Sequence, residues 1–179
     1  VSTIAHAVEF PYRAVIKKPK TQIRSGPGKN YYATDEFDEG FEVEVYRHDP
    51  GGWCAIRPPE GSFSWVRARN LDVDETNENI DMVNAYDVVA RTGSSLSRIR
   101  DVIQVHLEKG EAVELVDGDE IMPGSWRKIA PPTGEFRWIA QSAIEALPQP
   151  VVPAVAQKSD DQKSGDGVVQ SAFDDDGAP

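Results

Sequence analysis

Four tryptophans carry most of the recognisable chemistry of this chain. Trp53, Trp65, Trp126 and Trp138 offer indole faces that could stack on a peptide or a sugar with little loss of side-chain entropy. The competing use of such rings is to fill a small apolar interior. On that reading Trp65 and Trp138 are core residues, and Trp53 and Trp126 remain for a surface, beside Phe63 and Phe136. Tyr31 and Tyr32 follow a Gly26-Pro27-Gly28 turn, where a loop could present a phenol to a groove. Asp35 opens an acidic stretch, Asp35-Glu36-Phe37-Asp38-Glu39, able to steer a cationic ligand. The candidate ligand-binding set is therefore Tyr31, Tyr32, Asp35, Trp53, Phe63, Trp126 and Phe136.

Nothing comparable points to catalysis or to a metal. His6, His48 and His106 occupy non-equivalent places without a matching acid or ligand spacing. Cys54, the single cysteine, rules out an internal disulfide and any multi-cysteine zinc site. It should face away from Trp53 in its strand, as a small apolar filler. Asp117-Gly118-Asp119-Glu120 places oxygen ligands close together but lacks the roughly twelve-residue calcium loop with its closing bidentate Glu. It reads as a polar hairpin tip. No cofactor is expected, and the chain is read as a non-enzyme.

The elements that position these residues come in duplicate. Trp53-Cys54-Ala55-Ile56-Arg57-Pro58-Pro59-Glu60-Gly61-Ser62-Phe63-Ser64-Trp65-Val66 recurs, without a gap, as Trp126 to Ile139. The shared pattern is W-x-x-I-x-P-P-x-G-x-F-x-W-[VI], and it contains all four tryptophans. Pro50-Gly51-Gly52 before the first copy matches Pro123-Gly124-Ser125 before the second. Gly40, Val43 and Val45 match Gly110, Val113 and Leu115, and Ile23-Arg24-Ser25-Gly26 matches Ala90-Arg91-Thr92-Gly93. Within each copy, Phe41-Glu-Val43-Glu-Val45 and Val113-Glu-Leu115 alternate as half-buried strands do. Ile103-Gln-Val105-His-Leu107 predicts another. Pro58-Pro59 cannot donate to a ladder, so the Trp53 strand must end or lie on an edge there. Short, turn-rich strands with little helix predict an all-β chain.

The net charge of −11 is uneven. Residues 1–72 are balanced, 73–84 and 148–179 each carry −4, and 85–147 carries −3. The acidity thus belongs mostly to a linker and a Pro- and Asp-rich tail expected to be disordered. Its sign disfavours nucleic acid, and no apolar run approaches the roughly 18 residues a membrane span needs. Ala5-His6-Ala7 resembles the small-residue site of a signal peptide.

The first copy resembles the bacterial SH3 (SH3b) family over residues 12–72. The residues that carry the resemblance are Ile23-Arg24-Ser25-Gly26-Pro27-Gly28, Tyr31-Tyr32, Gly40, Val43-x-Val45, Gly52-Trp53-x-x-Ile56, Gly61, Trp65-Val66 and Leu71. The second copy keeps Arg91-Thr92-Gly93, Gly110, Trp126-x-x-Ile129, Gly134 and Trp138-Ile139 but lacks Pro-Gly after Gly93. The double proline in both copies goes beyond the family's usual motif. The resemblance implies two tandem SH3-like small β-barrels, at 10–73 and 85–147. They would be flanked by an extension at 1–9, an acidic linker at 74–84 and the tail at 148–179. It also implies a non-catalytic binding or targeting module outside the cytoplasm, secreted, periplasmic or in the cell envelope. The ligand would be peptide-like or a cell-wall (peptidoglycan) component, held in an aromatic groove of the first barrel. The alternative is a structural or assembly protein whose barrels mediate protein–protein contacts.

Overall fold

Residues 9–116 and 125–148 are described by a computed structural model of the chain. Asp117–Glu120, the extension at 1–8 and the tail from 149 onward lie outside those residues. The alternating segments form β1 (Tyr12–Ile16), β2 (Thr21–Arg24), β3 (Ala33–Phe37), β4 (Glu42–Asp49), β5 (Trp53–Ile56), β6 (Ser64–Arg67) and β7 (Leu71–Val73) in the first copy. The second copy forms β8 (Ile80–Val83), β9 (Val88–Thr92), β10 (Ile103–Leu107), β11 (Ala112–Glu114), β12 (Trp126–Ile129), β13 (Arg137–Ala140) and β14 (Ile144–Ala146). Single 3-10 turns, Ala68–Asn70 and Gln141–Ala143, follow β6 and β13. The all-β expectation holds, and so does the strand at 103–107.

The copies do not fold separately. One sheet runs β14-β1-β4-β5-β13-β2-β3, so the last two strands of the second copy complete the sheet of the first. The exchange is reciprocal. β6 lies between β9 and β12, and β7 pairs with β8, which pairs with β11. An isolated bridge, Leu115↔Ile129, connects β11 to β12, so the second set repeats the strand order of the first. The registers match as well. Arg137 faces Ile56 and Trp138 faces Ala55 in one set; Ser64 faces Ile129 and Trp65 faces Lys128 in the other.

Two apolar clusters follow from this exchange. Ile139 and Ile144 of the second copy pack with Ile16, Ile23, Val45, Cys54 and Ile56 of the first. Val66 and Leu71 of the first pack with Val83, Val88, Leu107, Leu115 and Ile129 of the second. Boundaries at 10–73 and 85–147 therefore do not follow the sheets, because each lobe takes its closing strands from the other copy. The segment read as an acidic linker at 74–84 is a tight hairpin followed by β8. Turn bonds from Asn77 N–H to Asp74 O (3.1 Å) and from Ile80 N–H to Asn77 O (3.0 Å) close it.

The crossing segments explain the exchange physically. Pro58 and Pro59, and Pro131 and Pro132, lack the N–H that a hairpin back onto the preceding strand would use. Beyond them a turn closes, with Ser62 N–H donating to Pro59 O (3.0 Å) and Glu135 N–H to Pro132 O (3.1 Å). Gly61 and Gly134 occupy its third position at φ 85° and 90°, where a side chain would be strained. The chain leaves each turn pointed at the opposite lobe. There Arg137 and Glu135 form an ion pair whose side chains are both fully buried. The Arg137 guanidinium also donates to Phe63 O (3.0 Å), and Ser64 Oγ donates to Glu135 (2.6 Å). The matching positions of the first copy are Ser62 and Ser64, small enough to leave room for one such pair. A second buried pair, Arg127 with Asp81 (3.6 Å), stands where the first lobe has Cys54 and Ala14.

Candidate functional site

Trp65, Trp126 and Trp138 are buried and Trp53 is half-buried, but none of them belongs to the apolar clusters. Both apolar clusters are almost wholly aliphatic, with Tyr12 as their one ring. In β6, Val66 points into the cluster, so period-2 alternation turns Trp65 to the outer face. Trp65, Trp126 and Trp138 are only 8%, 9% and 6% exposed because other side chains lie across them. Trp65 and Trp138 are buried as expected of core residues, but they lie outside the two apolar clusters. The interior is too narrow for indoles once Ile and Val from both copies meet there. Cys54 and Ile56 do point inward, as the strand phase required.

Each lobe carries an aromatic outer face, but the two differ in what covers it. In the first, Phe136 and Trp138 meet at 6.5 Å between ring centres. The Trp138 indole N–H donates to Asp49 Oδ2 (2.6 Å), and Arg47 holds Asp49 (2.7 Å) while lying over Phe136 (5.2 Å). The Arg47 hydrogen bond, with a smaller contribution from Trp138, keeps the Asp49 carboxyl below its ordinary range despite burial. This face is internally satisfied.

In the second lobe, Phe63 and Trp65 meet edge to face at 5.2 Å. Cations cover the rings. Arg67 stacks 3.9 Å from the centre of Trp126, Arg100 lies 4.4 Å from Trp65 and 5.1 Å from Trp126, and Lys128 Nζ is 4.8 Å from Phe63. The register that places Arg67 opposite Trp126 and Lys128 opposite Trp65 puts Ala140 opposite Trp53 and Ala55 opposite Trp138. The cationic face thus belongs to one lobe. Its cleft measures about 870 Å3 and is lined by Phe63, Trp65, Leu96, Arg98, Arg100 and Lys128. A neighbouring cleft shares Arg100 and adds Arg67, Arg69, Arg91, Asp87 and Asp101.

The loop that carries Arg98 and Arg100 is fixed by serines. Ser94 Oγ donates to Ala33 O (2.8 Å) and accepts from the N–H groups of Leu96 (3.1 Å) and Ser97 (3.0 Å). Arg91 donates to Arg100 O (3.1 Å). Burial, and then the nearby charges of Arg67 and Arg98, lower the Arg100 pKa. Positive charge is concentrated here by the fold.

The seven expected site residues do not gather in one groove. Phe63 and Trp126 lie in the cationic region, Phe136 on the sealed face of the other lobe. Trp53 lines a separate cleft with Gly51, Gly52, Ala140, Gln141 and Ser142. Tyr31 and Tyr32 border a further one with Arg24, Lys29, Ile99 and Asp101. Tyr32 donates to Thr92 O (2.7 Å), which joins the copies. Asp35 accepts from Ser95 Oγ (3.0 Å) and so serves a structural contact. The residues missed from sequence were Trp65, Arg67, Arg98, Arg100 and Lys128. The i, i+2 spacing of Arg98 and Arg100 was the available signal.

Among the described residues no cluster of three His, Cys, Asp or Glu side chains could hold a metal ion. No helix among them is long and apolar enough to cross a membrane. Comparison with known proteins finds no matching family, no similar curated protein and no similar solved structure.

Proposed function

We propose that this chain is a non-catalytic binding module, built from two SH3-like barrels that exchange their closing strands, and that it recognises a peptide-like or cell-wall ligand outside the cytoplasm. The observation that carries the reading is the cleft of about 870 Å3 on the outer face of β6 and β12, lined by the rings of Phe63 and Trp65 together with Arg98, Arg100 and Lys128. Concave, ring-lined sites with a few fixed polar groups are where proteins take up small or extended ligands. The strand order, the same in both lobes, supports an SH3-like topology, and the Pro-Pro crossings supply the exchange.

The test is retention of the purified protein on isolated sacculi. The intact chain should pellet with them. Phe63→Ala and Trp53→Ala variants with unchanged circular dichroism separate the cationic cleft from the first-lobe cleft. Loss of retention in Phe63→Ala alone supports the assignment. Failure of the intact protein to pellet contradicts the wall-binding reading.

A further inference from the structure

The cationic face has a chemistry that the wall-binding reading leaves unspecified. We propose that the cleft lined by Phe63, Trp65, Arg98, Arg100 and Lys128 selects carboxylates, and that its ligand is an acidic peptide lying extended across β6 and β12. This inference rests on the function proposed above and names its ligand class.

Three observations carry it. First, the bases are concentrated in a chain of net charge −11. Arg98, Arg100 and Lys128 line one cleft with no acid among its lining residues, and Arg67, Arg69 and Arg91 line the next beside Asp87 and Asp101, with Arg100 common to both. In the first cleft an anion would lower the mutual repulsion of the bases. Second, the Arg100 guanidinium is pre-oriented. Stacked on an indole face, it presents its edge N–H groups in the plane, where a carboxylate can be gripped by two parallel bonds. Arg100, placed between Trp65 and Trp126 and tied through its carbonyl to Arg91, is fixed before any ligand arrives. Third, duplication provides an internal comparison. Ala140 and Ala55 hold the first-lobe positions matching Arg67 and Lys128. The charge is therefore not required by the β-sheet itself.

A peptide fits this surface better than a phosphate polymer does. Leu96, about half exposed at 51%, and the ring of Phe63 stand at the rim. They offer apolar contact to the residues between successive carboxylates, which a phosphate chain would not use.

The experiment follows tryptophan fluorescence of the full chain while it is titrated with an alternating Glu-Gly octapeptide, its Gln-Gly counterpart and inorganic tripolyphosphate. The proposal expects saturable binding of the Glu peptide and at least roughly tenfold weaker binding of the Gln peptide. It expects loss of that preference as salt rises from low ionic strength to about 0.5 M. Arg98→Gln, which removes no ring contact, should weaken the Glu peptide by about tenfold. Arg100→Gln should do so more strongly. Equal affinity for the Glu and Gln peptides overturns the proposal, and tighter binding of tripolyphosphate than of the Glu peptide overturns the peptide assignment. Sacculus retention that is unchanged in Arg98→Gln and Arg100→Gln and insensitive to salt overturns the proposal while leaving the wall-binding function standing. Absence of binding to both sacculi and peptides overturns both.

Discussion

Replacing Arg137 by methionine keeps its length and removes the charge that balances Glu135. Both side chains are fully buried, so Glu135 would keep only the Ser64 hydroxyl, which donates at 2.6–2.7 Å, as a near partner. Removing one member of a buried pair typically costs about 3–5 kcal/mol, because the remaining charge is left unbalanced away from water. With a urea m-value of about 2 kcal/mol/M, the unfolding midpoint should fall by about 2 M, read by tryptophan fluorescence. Glu135→Gln in the same variant should restore most of the loss. A midpoint shift under about 0.5 M would falsify the reasoning. Ser64 and the Phe63 carbonyl come from the other copy, so they can support this pair only if the strands are exchanged.

Gly93→Ala and Gly26→Ala look alike in sequence and should differ in effect. A Cβ at Gly93 would meet the Phe63 ring at 2.3 Å and its carbonyl oxygen at 2.4 Å. That contact is held by the Gly93 N–H to Phe63 O bond, so a loss of about 1–3 kcal/mol is expected. At Gly26 the clash is with the Tyr31 ring alone, and Tyr31 is exposed and free to turn, so thermal denaturation should show a much smaller drop. Burial pushes both Tyr12 and Tyr32 up to about 12 from the ordinary 10. Their contribution to stability is whole below pH 10 and lost as pH rises towards 12. A spectrophotometric titration should therefore show Tyr12 and Tyr32 ionising late, together with the onset of unfolding. Ionisation of these two near pH 10 in the folded protein contradicts their burial.

The strands were legible because alternation and turn residues act locally. The phase of Trp53-Cys54-Ala55-Ile56 alone put Cys54 and Ile56 inside. The partner of β6 was not legible. Ser64-Trp65-Val66 and Arg137-Trp138-Ile139 fit the same slot in the same register, so the pattern cannot say which copy fills which sheet. Pro58-Pro59 signalled that a hairpin was blocked, but where the chain goes next depends on the far lobe. The cationic cleft was obscured for another reason. Arg67, Arg100 and Lys128 are far apart in the chain, and a balanced or acidic count over each stretch hides a patch that only the exchanged sheet assembles. For the tryptophans ring size implied burial, which Trp65 and Trp138 have, but alternation with Val66 and Ile139 puts them on the face opposite the apolar clusters.

The exchange itself is tested most directly by cutting the exposed hairpin at 74–79 through an introduced protease site. Residues 75–79 of that turn are exposed, and one bond, from Leu115 N–H to Asn79 O (2.8 Å), ties it to the rest of its lobe. The two fragments should elute as one particle with native tryptophan fluorescence, and part only in denaturant, since each holds strands that the other needs. Two fragments that separate in native buffer, each folded and monomeric, would show that every copy closes its own sheet and would contradict the account.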